Sequence, residues 1–155
     1  MYLEDHYFDE KLKNYLLKIH GLNNYRCKVT RHRRIKKLEC DVVIRCYLDS
    51  KKTVTIGVEL KIIRSLKDLV KVLSQALRRR KFFNYMYVVI ISEESTFRNF
   101  LSFYNLLIRS DLDIYEVFRI LEEGDIGVIL RSERGFYMFC KSKGFFNKEF
   151  VEKYV

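Results

Sequence analysis

The sequence predicts an α/β fold, a mixed central sheet flanked by helices, with an antiparallel three-strand meander followed by a helix and a parallel strand. Three observations predict it. Three strand-like segments follow one another through short polar links between 25 and 61. An amphipathic helical stretch comes next, and the apolar run YMYVVII at 85–91 follows it.

Within 7–19, Phe8, Leu12, Leu16 and Ile19 recur at helical spacing, and Gly21 ends that helix. Residues 25–31 read as extended, followed by a basic bend. Residues 38–48 form the second strand, Asp49-Ser50-Lys51-Lys52 a turn, and 53–61, rich in Val, Ile and Thr, the third. Links this short favour antiparallel neighbours. Ser65 is placed to cap a second helix, with Asp68 three residues on, and Leu66, Leu69, Val70, Leu73, Ala76 and Leu77 make its apolar stripe. An unbroken apolar run such as 85–91 suits a strand buried on both faces, and a strand–helix–strand passage favours parallel pairing. A helix is expected at 96–108, and 113–121 is ambiguous between strand and helix. Residues 124–130 and 136–140 read as a late hairpin, and 148–154 as a short closing helix.

With 155 residues, 48% of them hydrophobic, the chain is expected to form one domain, 1–155. Its formal charge of +10 attracts polyanions. Cys27, Cys40, Cys46 and Cys140 contain no C-x-x-C pair and match no common zinc spacing. They read as free thiols in a reducing, cytoplasmic setting. No apolar stretch approaches a spanning helix, so no membrane partner is expected. His6, His20 and His32 form no metal motif. His20 beside Gly21 reads as a helix-end residue favoured by the dipole, and His32 as exposed or as a phosphate contact.

Strand parity makes the middle of the chain informative. Asp41 shares a face with Glu39 and Val43, while Cys40, Val42 and Ile44 point the other way. On the next strand Val54, Ile56, Val58 and Leu60 fill one face, and Thr55, Gly57, Glu59 and Lys61 the other. In the meander, Asp41 then stands beside Glu59 and Lys61. Two carboxylates so placed suit Mg²⁺ (or Mn²⁺), with the Leu60 carbonyl as a further oxygen ligand. Such an ion acidifies a bound water and draws charge from phosphate oxygens. Lys61 can orient that water, and its charge also compensates Glu59. Glu39 is a weaker candidate on the same face.

The pattern resembles the PD-(D/E)XK nuclease superfamily of restriction endonucleases, archaeal Holliday junction resolvases and related repair nucleases. LECDVVI matches the segment whose Asp binds metal, and in GVELK the residues Glu59 and Lys61 match the (D/E)-x-K. Glu10 in FDEKL matches a further acid on the first helix, with Asp9 or Glu4 as substitutes, and Gln75 in LSQAL matches a Gln on the helix after the E-x-K strand. The resemblance covers roughly 10–91 and implies a restriction-endonuclease-like fold. By the same resemblance the chain is a metal-dependent nuclease cutting DNA, with Asp41, Glu59, Leu60 and Glu10 at the metal and Lys61 and Gln75 completing the catalytic set. Cys40 stands where the motif has proline, and RHRRIKK replaces the Gly-Ser segment typical of the resolvases.

Two basic runs flank this constellation: Arg31, Arg33, Arg34, Lys36 and Lys37, then Arg78, Arg79, Arg80 and Lys81. Both are expected on the sugar-phosphate backbone, which brings affinity without sequence discrimination. A two-fold homodimer would match the symmetry of a duplex or junction, with 114–130 or the final hairpin as its interface. The competing readings are a nucleic-acid-binding module of the same fold without turnover, and a basic α/β protein that binds a protein partner.

Overall fold

The computed structural model describes residues 3–35, 38–63, 66–92 and 126–144. Ser65, Lys36, Lys37, the helices expected at 96–108 and 148–154, the segment 113–121 and residues 114–125 of the dimer interface lie outside the described residues.

A 3₁₀ turn, Leu3–Tyr7, leads into helix α1, Glu10–Ile19. Asp9 caps that helix by accepting the Leu12 N–H at 3.0 Å, so the helix starts three residues later than its periodicity suggests. Gly21, at φ +68°, ends it. Strands β1 (Arg26–Ile35), β2 (Leu38–Tyr47) and β3 (Thr53–Ile62) form the antiparallel meander. Helix α2, Leu66–Arg79, and a short 3₁₀ turn, Arg80–Phe82, then lead to β4, Tyr85–Ile91, which pairs parallel with β3. Strand β5, Ile126–Ser132, lies parallel to β4, and β6, Gly135–Cys140, folds back antiparallel on it. These strands make one mixed sheet in the order β1-β2-β3-β4-β5-β6.

The expected basic bend is mostly strand. Pairing of β1 with β2 continues through Arg33–Cys40 and Arg34–Glu39 to Ile35–Leu38, so Arg31, Arg33 and Arg34 belong to the ladder. Main-chain pairing tolerates exposed charge, and Arg34 meets Glu39 across the strands.

Among the described residues, one helix packs on each face of the sheet. Leu12, Leu16 and Leu17 of α1 lie with Val42, Ile44, Val54, Ile56, Val58, Leu60 and Ile62. Leu69, Val72, Leu73 and Ala76 of α2 lie with Val43, Val88, Ile90, Val128 and Leu130. The alternation of β4 serves both layers: Tyr87, Val89 and Ile91 face α1, and Met86, Val88 and Ile90 face α2. Each buried apolar side chain contributes about 1.5–3 kcal/mol, which makes β4 the strand least tolerant of polar substitution. Gly57 is required by Phe83, whose ring occupies the space a Cβ would fill.

One expectation about side chains fails and another holds only in part. Cys27 and Cys46, opposite each other on β1 and β2, are joined in a disulfide, so only Cys40 and Cys140 are free thiols. The free-thiol ground for a reducing location falls with that pairing. His20 is the C-cap residue of α1, as expected, but its ring is not the charged group that a helix dipole favours. Its ring stacks on Tyr85 at 3.7 Å and its Nε2 lies 2.6 Å from Tyr87 Oη, where burial and then Lys141 push its pKa down to about 4. The neutral imidazole therefore accepts from Tyr87, whose oxygen in turn accepts the Ser142 N–H at 3.1 Å.

Candidate active site

The site lies where β2 and β3 part. Their paired register runs as far as Val42–Val58, and the next step brings Asp41 opposite Glu59. There the Asp41 carboxylate replaces the ladder, with Oδ2 accepting the Leu60 N–H at 2.8 Å. The two polar groups of a strand residue point to the same edge, so the Leu60 carbonyl opens toward the same gap. The parting also breaks the alternation of β2. Cys40 packs with Val43 under α2, while Val42 and Ile44 pack toward α1, contrary to the simple parity expectation. On the other side of β2, His32 stands opposite Asp41 with φ at +53°, an uncommon backbone conformation for a non-glycine residue.

The result is a cleft of about 230 Å³ lined by Glu4, Asp5, His32, Glu39, Asp41, Glu59, Leu60, Lys61, Gln75 and Arg79. Of the residues singled out from sequence, Asp41, Glu59, Leu60, Lys61 and Gln75 come together here, along with Glu39, Glu4, His32 and Arg79.

Glu10 does not. It is the first residue of α1, its side chain is 80% exposed, and its carboxylate meets Lys13 at 2.8 Å. The cap made by Asp9 fixes this outcome, because it turns the first helical residue toward solvent. Glu4 and Asp5, from the 3₁₀ turn before α1, are the acids of the N-terminal segment that line the cleft. The sequence offers Glu4 as a substitute for Glu10 but does not mark Asp5, since nothing in its local pattern signals a 3₁₀ turn folded over a strand end. The Asp5 carboxylate holds His32 Nε2 at 2.9 and 3.0 Å, and His32 Nδ1 faces Glu39 at 3.5 Å and Asp41 at 3.9 Å.

The basic runs divide. Arg31 is tied to the carbonyl oxygens of Asp5 (3.1 Å) and Phe8 (2.7 Å), anchoring the N-terminal turn to β1. Arg79 enters the cleft: its Nε donates to the Glu39 carbonyl at 2.9 Å and its Nη1 to the Gln75 carbonyl at 3.2 Å, while Nε lies 3.1 Å from Glu59 Oε1. Arg79, not Lys61, is the cation nearest Glu59. Arg33, Arg34, Arg78 and Lys81 are exposed, and Arg80 is half-buried.

Electrostatics single out the carboxylate pair. Glu59 is 4% exposed and Asp41 27%. Burial, reinforced by the neighbouring Asp41 charge and only partly offset by Arg79, pushes the Glu59 carboxyl up to about 8. Burial also raises Asp41 above the usual carboxylate range, against the pull of the Leu60 N–H, Glu59 and His32. The Cys40 thiol beside them is pushed up by burial and by both carboxylates, so it is no nucleophile.

Among the described residues, one oxygen of the carboxyl pair lacks a hydrogen-bond partner. Glu59 Oε1 is buried and accepts no hydrogen bond, because the nearby Arg79 Nε–H is directed to the Glu39 carbonyl. Among the described residues no group of three or more His, Cys, Asp and Glu side chains is arranged to hold a metal ion. Two carboxylates and a main-chain oxygen nonetheless suit Mg²⁺, which keeps several of its waters.

No protein-family model matches the chain, and no curated protein sequence matches it. Among solved structures, the chain is similar to SfsA of Pyrococcus furiosus, determined in complex with Ca²⁺, at 11% sequence identity and a TM-score of 0.35. The match covers 84% of this chain and 61% of the SfsA chain.

Proposed function

We propose that the protein is a metal-dependent nuclease that hydrolyses phosphodiester bonds in DNA. One observation carries the reading: a carboxyl pair, the half-buried Asp41 and the buried Glu59 with an unsatisfied oxygen, opens on a cleft whose lining includes Lys61. Burying two acids side by side destabilises a fold unless something else binds there, and a divalent cation is the ligand that two converging carboxylates select. Asp41 and Glu59 would hold Mg²⁺ or Mn²⁺, with the Leu60 carbonyl as a further oxygen. When bound, the ion lowers the pKa of a ligated water and neutralises charge on the phosphate.

The chain's own residues do the rest. Lys61, half-buried two residues beyond Glu59 on the same face of β3, presents an ammonium group to the phosphate as water adds to phosphorus and one ester P–O bond breaks. Gln75, from the facing helix, supplies an amide that can orient the water or a phosphate oxygen. His32, held by Asp5, limits how far Asp41 can swing.

A second reading rests on Arg79. Its guanidinium already neutralises Glu59 in part, as a resident cation does in a nucleic-acid-binding module without turnover. Labelled DNA substrates (single strand, duplex, flap and junction) incubated with and without Mg²⁺ or Mn²⁺ separate the two. The nuclease reading expects cleavage that EDTA abolishes and that Asp41→Asn, Glu59→Gln and Lys61→Ala each lower by about 100-fold or more. DNA binding without metal-stimulated cleavage on any of the four substrates favours the module. Undiminished cleavage by all three variants rejects the catalytic assignment.

A further inference from the structure

Lys28 on β1 lies directly opposite Arg45 on β2. Like charges facing each other across a ladder destabilise a sheet, and among the described residues no carboxylate pairs with either side chain.

The same face carries more of the same charge. Cys27 and Val29 pack toward α1, so strand alternation turns Arg26, Lys28 and Thr30 to the opposite face, the one holding the cleft. Ile44 and Cys46 likewise send Arg45 and Tyr47 there. Arg26 pairs with Tyr47 and sets its guanidinium 4.7 Å from the centre of that ring. Helix α2 packs on β3 and β4, leaving Arg26 and Lys28 exposed on the edge strand. On β1 the sequence of this face is His32, Thr30, Lys28, Arg26, beginning in the cleft and ending in cations. From Asp41 to Arg45 the path is roughly 13 Å at the usual rise of a strand.

We infer that Arg26, Lys28 and Arg45 form a track for the phosphodiester backbone of one nucleic-acid strand as it leaves the cleft, with Tyr47 an aromatic platform at its far end. None of the three cations belongs to the two basic runs evident in the sequence. The inference rests on the nuclease reading for its direction, since the track starts at Asp41, but its binding test does not require turnover. A polyanion relieves the Lys28–Arg45 repulsion that the fold otherwise carries, and an aromatic set among cations is how single strands are held without sequence preference.

The test uses the full chain in EDTA and fluorescein-labelled DNA of roughly 20 nucleotides, longer than a typical single-strand site. One arm is a single strand and the other the matching duplex, with anisotropy read across a salt series. Lys28→Glu creates an attractive pair with Arg45, so it is expected to keep or raise the melting temperature while weakening binding about tenfold or more. Joined with Arg45→Gln, it should flatten the slope of log affinity against log salt by roughly 1.4 for the single strand, or 1.8 for the duplex, as two lost phosphate contacts require. The arm that loses more identifies the strand form held on the track.

Wild-type affinity and slope in both variants overturn the inference, as does failure of the wild type to bind either DNA at low salt. A fall in melting temperature in Lys28→Glu and in Arg45→Gln alone also overturns it, because the two cations would then not be in conflict. Track-dependent binding without metal-stimulated cleavage upholds the track and removes the catalytic reading. Cleavage lost in Glu59→Gln but indifferent to Lys28→Glu does the reverse.

Discussion

Replacing Arg79 with Met tests how the cleft balances its charge. The substitution keeps much of the aliphatic stem and removes three contacts: the ion pair with Glu59 at 3.1 Å and the hydrogen bonds to the Glu39 and Gln75 carbonyls at 2.9 and 3.2 Å. Arg79 is 12% exposed and Glu59 4%, so solvent cannot take over. Removing one member of a buried pair typically costs about 3–5 kcal/mol. Glu59 softens that loss by holding a proton, since its pKa already stands at about 8 and Arg79 is the group that pulls it down. At pH 7 the expected loss is therefore roughly 2–3 kcal/mol, or about 4–12 °C in melting temperature for a chain of this size.

The sign of the pH dependence follows. A carboxyl with a raised folded pKa contributes stability that is full below its unfolded value, near 4.5, and lost as pH rises through the folded value. Without Arg79 that loss extends to higher pH, so the gap between wild type and Arg79→Met widens above pH 8. Urea denaturation at pH 7 and pH 9 in EDTA measures it. Under the nuclease reading, Mn²⁺ raises the melting temperature of the variant more than that of the wild type, because the ion replaces the missing positive charge. Equal stability of the two proteins at both pH values would refute the electrostatic account of the cleft.

Two further outcomes are expected. His20, with its pKa lowered to about 4, contributes stability that is complete above pH 6.5 and is lost as pH falls through 4. Discounted for partial exposure, its contribution is about 1–2 kcal/mol, and His20→Asn should flatten the difference in urea midpoint between pH 7 and pH 5; a variant with the wild-type slope would exclude His20 as its source. Gly57→Ala drives a methyl group into the Phe83 ring and should destabilise by about 1–3 kcal/mol or more, with Phe83→Leu expected to recover part of the lost melting temperature in the double variant.

Much of the frame was readable because burial leaves a periodic trace. Val54, Ile56, Val58 and Leu60 alternate with Thr55, Gly57 and Glu59, and the two sets do face different layers. YMYVVII is buried on both faces as an unbroken run should be. The cleft was legible only in part. Glu59, Lys61 and Asp41 stood out because strand parity sets two carboxylates and an ammonium on one face of adjacent strands, in the order on which the nuclease resemblance rests. Glu10 misled because its neighbour Asp9 caps the helix, which leaves Glu10 as the first helical residue, turned to solvent. His32, Asp5 and Arg79 reach the site from three separate elements, and although His32 and Arg79 stand within or beside basic runs, their meeting with Asp5 and Glu59 depends on how those elements pack.

Sequence alone determined the alternation of layers, the meander followed by a helix and a parallel strand, and the excess of positive charge, because each depends on residue type and spacing along the chain. Tertiary structure decided where β2 and β3 part, which acid enters the cleft, that Arg79 neutralises Glu59, and that Lys28 confronts Arg45. Those outcomes depend on register and on the burial of one charge beside another, and both are properties of contacts between segments that local sequence does not encode.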